Sequence, residues 1–165
     1  MEEGDYPASE EYLLKALQTC RSGRNVLFEL WVLPVLAELY LKMGQADKAA
    51  EYMARGFELL QPDQSWYGLP APMYLAKGML ASAGKKWDEA EKSFEKAVEI
   101  NRRYQLPWDE AKTLYEWGLM HLARGKPGDR EQAQAKLGSA LEIFRRVEAK
   151  KDVEKVLAAT ETLRA

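Results

Sequence analysis

The 165 residues carry 24 basic and 26 acidic side chains, for a formal net charge of −2, and are 47% hydrophobic and 30% charged. That length suits one compact domain or a short repeat array, and the near-balanced charge, with a pI near 5.6, leaves no basic footprint for nucleic acid as the main partner. A single cysteine, Cys20, and a single histidine, His121, exclude an internal disulfide and a Cys/His metal site. Any Ser-His or Cys-His mechanism would have to use His121.

Ala, Leu, Glu, Lys and Arg supply 87 of the 165 residues, whereas Val, Ile and Thr together supply 13, so the fold class is all-α. The N-terminal Met1-Glu2-Glu3-Gly4-Asp5 is acidic where a signal peptide would be basic. Residues 4–22 read as a first helix with Leu13 and Ala16 on its stripe, closed by Ser22-Gly23-Arg24-Asn25. Val26–Met43 follows as a second helix. Its apolar run to Leu41 is broken by Glu29, Pro34 and Glu38 and is shorter than the roughly 20 apolar residues a membrane span needs, so it reads as a buried helix of an intracellular, cytoplasmic protein. After Gly44 comes a helix carrying Met53 and Gly56, ended by Pro62. Leu69–Ala83 is helical, with Gly78 near its middle; the next helix, beyond Gly84 and Trp87, carries Phe94 and Ala97 and is stopped by Pro107. Trp108–Arg124 centres on Gly118, and beyond Gly125 the following helix carries Leu137 and Ala140. Gly44, Gly84 and Gly125 are placed to adopt the left-handed conformation that ends helices, and Asp88 and Asp129 to offer carboxylates to helix N-termini. A last amphipathic helix, 150–164, gathers Val153, Val156, Leu157 and Leu163 on one side.

These elements repeat. Ala16, Gly56, Ala97 and Ala140 are spaced by 40, 41 and 43 residues, each preceded by three positions by a bulky Leu13, Met53, Phe94 or Leu137. The helices before the glycine turns carry Ala37, Gly78 and Gly118 at matching places, where a small residue lets two backbones approach closely. With the glycine turns, the Tyr6/Trp87 aromatic and the trailing prolines, the chain resembles the tetratricopeptide repeat family from about Gly4 to Val147. It departs in period, since the family's usual repeat is roughly 34 residues. Long copies of this kind, and the run Ala123 to Arg130 followed by Ala140 to Phe144, resemble the sensor or regulatory regions of large bacterial signalling ATPases, cyclases and transcriptional activators. The resemblance implies a right-handed superhelical solenoid of antiparallel helix pairs with about eight helices. Residues 1–165 divide into a half repeat at 4–22, repeats at 26–61, 69–104 and 108–147, and a capping helix at 150–164. The opening half repeat reads as a piece excised from a longer array, with a natural N-terminal cap as the alternative.

Chemistry-bearing motifs are sparse. His121, three residues after Gly118, reads as a neutral, hydrogen-bonded packing histidine, and Cys20 as an inert thiol at a helix end. Gly84-Lys85 is not a phosphate loop, because Met79 stands at the first glycine and Lys86 replaces Ser or Thr. Arg145, Arg146, Lys150 and Lys151, interrupted by Glu148 and Asp152, form a solvated face, and Trp66-Tyr67 and Trp108 fall in inter-repeat turns. No enzyme activity, metal or cofactor is expected.

The resemblance implies instead a concave groove lined by the first helix of each pair. It would be formed by Trp31, Val35, Glu38 and Lys42, then Leu75, Met79 and Ser82, then Lys112, Tyr115, Glu116 and Leu119. Tight superhelical packing that buries most of them is the competing reading. Pro34, Glu38, Leu75, Ala76 and Met79 occupy places where family members gripping a C-terminal carboxylate carry Lys, Asn and Arg, so an acidic chaperone tail is not the expected ligand. The expected function is a non-enzymatic protein–protein interaction module binding an amphipathic peptide or helix from a partner protein or from the parent chain, with self-association through the groove as a further option. The alternative is a small-effector sensor controlling an attached ATPase, cyclase or DNA-binding domain.

Overall fold

The computed structural model describes residues 5–60 and 66–164, with side chains as far as 161; Gly4, Pro62 and the side chain of Leu163 lie outside the described residues. Among the described residues there are eight helices and no strand: α1 (Tyr6–Ser22), α2 (Val26–Lys42), α3 (Ala46–Leu59), α4 (Pro70–Ala83), α5 (Trp87–Arg103), α6 (Pro107–Arg124), α7 (Asp129–Arg146) and α8 (Lys150–Arg164). Each helix packs on the next, and α2, α4 and α6 also stack in a row, with α3, α5 and α7 flanking it. The result is an all-α helical solenoid.

Small residues set the distance within the helix pairs. A Cβ on Gly78 would stand 2.7 Å from the Phe94 ring, and one on Gly118 would stand 2.9 Å from Leu137 Cγ, so α4–α5 and α6–α7 pack through glycines. Gly118 and Gly78 each give up about 1 kcal/mol of helix propensity for this approach. The small–large–small stripe is buried in α3 (Ala49, Met53, Gly56), α5 (Ala90, Phe94, Ala97) and α7 (Ala133, Leu137, Ala140). In α1 the same stripe is only half-buried, and Leu17 is the buried residue.

The turns between helices share one hydrogen-bond pattern. Asn25 N donates to Cys20 O, Gln45 N to Tyr40 O, Lys86 N to Ala81 O, Leu106 N to Asn101 O and Ala149 N to Phe144 O, all at 2.8–2.9 Å, which satisfies carbonyls left open at the helix ends. The residue before each donor has positive φ: Arg24, Gly44, Lys85, Gln105 and Glu148. Gly44 and Gly125 are left-handed as expected, at φ 71° and 64°, but Gly84 is not. It caps α4 at φ −82°, and the left-handed position falls on Lys85 at φ 56°. The turn geometry is therefore carried by the 6→1 hydrogen bond, and glycine occupies the left-handed site in only one of these five copies.

Other local expectations are also corrected. Pro107 opens α6 at its first position, where its missing N–H costs nothing, and Trp108 lies in that first turn, not in a connection. The Asp129 carboxylate turns back to accept the Lys126 N–H at 2.7 Å and binds Arg124, whose Nη2 is 2.6 Å away, so it fastens the α6–α7 loop instead of capping α7.

Candidate functional site

The eleven residues expected to line a groove lie on α2, α4 and α6, and the structure sorts them into three groups. Lys42, Met79, Ser82, Glu116 and Leu119 come together. With Leu41 they surround a cavity of about 310 Å³ between the C-terminal ends of α2 and α4 and the second half of α6, floored by Phe94 and Met120. Its walls are mainly apolar, and Lys42 is exposed beside it. Ser82 Oγ donates back to Gly78 O at 2.8 Å.

Glu116 is the chemically distinctive group. It is half-buried, and burial, reinforced by the nearby Glu38, pushes its carboxyl up to about 7 against the counter-pull of Lys112, Lys42 and Lys155. Near neutrality it therefore exists in both protonation states and can either donate a hydrogen bond or receive a cation.

A second group is structural. Lys112 Nζ donates to both Glu38 oxygens, at 2.8 and 2.7 Å, joining α6 to α2 across the row. Glu38 is 5% exposed and Leu75 3%, and neither offers a surface to a partner. Leu75, with the half-buried Tyr115 packed alongside, belongs to the core around Phe94 and Trp117. Tyr115 has its phenol raised by burial and, to a lesser extent, by Glu116.

The third group is apart from the cavity. Trp31 is 63% exposed and Val35 37%; with Leu27 at 55% and Phe28 at 59% they make an apolar stripe on α2. Leu27 and Phe28 were absent from the sequence-based set, although their i, i+4 and i, i+3 spacing to Trp31 places them on the same helix face. Phe28 and Trp31 touch ring to ring, with centroids 6.5 Å apart.

His121 is 1% exposed, with Nδ1 3.1 Å from Asp129 Oδ1, inside an ionic cluster with Arg124 and Glu91. The Arg124 guanidinium, with the Lys126 amide and His121, holds the Asp129 carboxyl well below the usual carboxylate range. The imidazole is thus enclosed in a helix-joining network, away from the cavity. Among the described residues no three His, Cys, Asp or Glu side chains gather as a metal site, and no helix is long and apolar enough to cross a membrane.

The tetratricopeptide repeat family model matches residues 35–59, from the middle of α2 through α3, and 71–104, which is the α4–α5 pair. These two segments are similar to tetratricopeptide repeats. Repeats of this family generally mediate protein–protein interaction and are typically non-catalytic. The crystal structure of BtubC (BKLC) from P. vanneervenii superposes with a TM-score of 0.69 at 17% sequence identity, over 98% of this chain and 66% of that one. At that identity the likeness speaks for the fold, and the chain spans just under two thirds of that protein's length. Among curated proteins no significant match is found.

Proposed function

We propose that residues 1–165 act as one array, a non-enzymatic protein-binding module whose concave face takes an amphipathic peptide or helix. The observation that supports this reading is the cavity between α2, α4 and α6. Leu41, Met79 and Leu119 offer it apolar walls, while Lys42 and Glu116 stand ready for the polar edge of a ligand. An apolar anchor of one or two side chains fits about 310 Å³, and a methionine wall adapts to different anchors. Glu116 would make binding pH-dependent, favouring a backbone carbonyl below pH 7 and a basic side chain above it.

Selection of amphipathic peptides from a random helical library tests the proposal. Binders should slow hydrogen exchange on α2, α4 and α6 and should lose at least tenfold in affinity against Met79→Lys or Leu119→Glu. Binders indifferent to both substitutions would refute it. The sensor reading predicts instead that a metabolite raises the melting temperature by mass action. The cavity is open and lies at the small end of the roughly 300–1,000 Å³ range of ligand sites, which favours a peptide.

A further inference from the structure

Trp117 of α6 is 8% exposed, and the Lys136 ammonium of α7 rests on its ring, 3.5 Å from the ring centroid. The repeat does not demand this pair. Taking Gly118, Gly78 and Ala37 as equivalent, and Leu137, Phe94 and Met53 likewise, the counterparts are Lys77 with Ser93 and Leu36 with Tyr52. Neither of those sets an amine on an indole.

The pair borders a cavity of about 580 Å³ walled by α5, to which Val98, Leu114 and Trp117 give apolar surface. It shares no lining residue with the cavity between α2, α4 and α6, and all its walls come from the interior of the array. Its charge is the reverse of the chain's. In a protein of net charge −2, this cavity carries Lys92, Lys96, Arg102 and Lys136 against Glu95 and Glu99. Glu99 is spent on Lys96, at 2.8 Å, and Arg102 binds Glu110 through Nε at 2.8 Å. Among the described residues no carboxylate forms an ion pair with Lys92 or Lys136.

Lys136 is half-buried. Burial, and then the Arg102 charge, pushes its ammonium down against the pull of Glu91 and Glu95. A ring face offsets part of the cost of holding a cation there, and a charge-assisted hydrogen bond to an anion offsets more.

We propose that this cavity is a binding site for a small organic anion, its carboxylate or sulfonate held by Lys136 and Lys92 and its apolar body against Val98, Leu114 and Trp117. The volume lies within the roughly 300–1,000 Å³ of small-ligand sites, and a few polar groups around an apolar floor are their usual chemistry. A docked helix fits less well, because it would strip water from the charged side chains around the whole rim, Glu95 included.

The probe is anilinonaphthalene sulfonate, offered to the full chain beside the uncharged phenylnaphthylamine. Binding is read from the indole N–H resonance of Trp117, assigned by its loss in Trp117→Phe. A saturable shift is expected. Affinity should fall at least tenfold for the uncharged analogue and for Lys136→Gln, be largely retained in Lys136→Arg, and rise severalfold in Glu95→Gln. It should be unchanged in Met79→Lys, which alters the other cavity. Circular dichroism checks that each variant is folded; if Lys136→Gln is not, Lys92→Gln on the exposed face of α5 should still lower affinity severalfold. Four results would overturn the proposal. These are no shift of the Trp117 resonance at millimolar probe, equal binding of the uncharged analogue, binding lost with Met79→Lys, or a Lys136→Gln protein that is less stable to urea yet binds as before, which reduces Lys136 to packing on Trp117.

Discussion

Replacing Glu116 with glutamine removes one ionisation while keeping shape and hydrogen-bonding capacity. The carboxyl sits at about 7 in the folded chain against a reference of 4.5, raised first by burial and then by Glu38. Between those values the folded state holds a proton that the unfolded state has released, so this group's contribution to stability is full below about pH 4.5 and is lost as pH rises through 7. At about 1.36 kcal/mol per unit the full displacement would correspond to about 3 kcal/mol; the side chain is half-buried and water reaches it, so about 1–3 kcal/mol is expected. Urea unfolding of both proteins at pH 5 and pH 8 isolates the effect, because the other titrating groups are common to both. Glu116→Gln should be nearly neutral at pH 5 and stabilising by about 1–3 kcal/mol at pH 8, or several degrees in melting temperature. An unchanged difference between the two pH values would refute the burial argument.

The Glu38–Lys112 pair should behave as a buried bridge with one wet end, since the side chains are 6% and 29% exposed. Lys112→Met alone should cost about 2–4 kcal/mol by stranding Glu38, and the double change Glu38→Met/Lys112→Met should recover most of that in a double-mutant cycle. Gly78→Ala gains about 1 kcal/mol in helix propensity, yet its Cβ would stand 2.7 Å from Phe94, so denaturation should show a net loss of about 1 kcal/mol. Lys85→Gly relieves a left-handed residue at φ 56° and should stabilise by about 0.5–1 kcal/mol, while Gly44→Ala at φ 71° should cost about 1 kcal/mol; equal effects at both sites would count against the shared-turn geometry.

Much of the fold was legible because its signals are local. The mid-helix Gly78 and Gly118 and the Met53, Phe94 and Leu137 stripe depend on residues close in sequence, and each stands where the structure needs it. The turn residue was misjudged at Gly84, because hydrogen bonding to a carbonyl five residues earlier tolerates a lysine in the left-handed site. Asp129 was misplaced for a related reason: its carboxylate had a helix terminus in reach and an arginine in better reach.

Composition and a recurring small–large–small stripe were enough to specify an all-α array of paired helices, since helix propensity and pair packing are decided by neighbours three or four residues, or one helix, away. Which first-helix residues face a partner was decided only in three dimensions. The approach of α6 to α2 buries Glu38 against Lys112 from 74 positions away, draws Glu116 between charges from α2 and α8, and closes Leu75 into the core. Trp31 and Val35 are exposed, although Ala76, the counterpart of Val35 one repeat on, is fully enclosed.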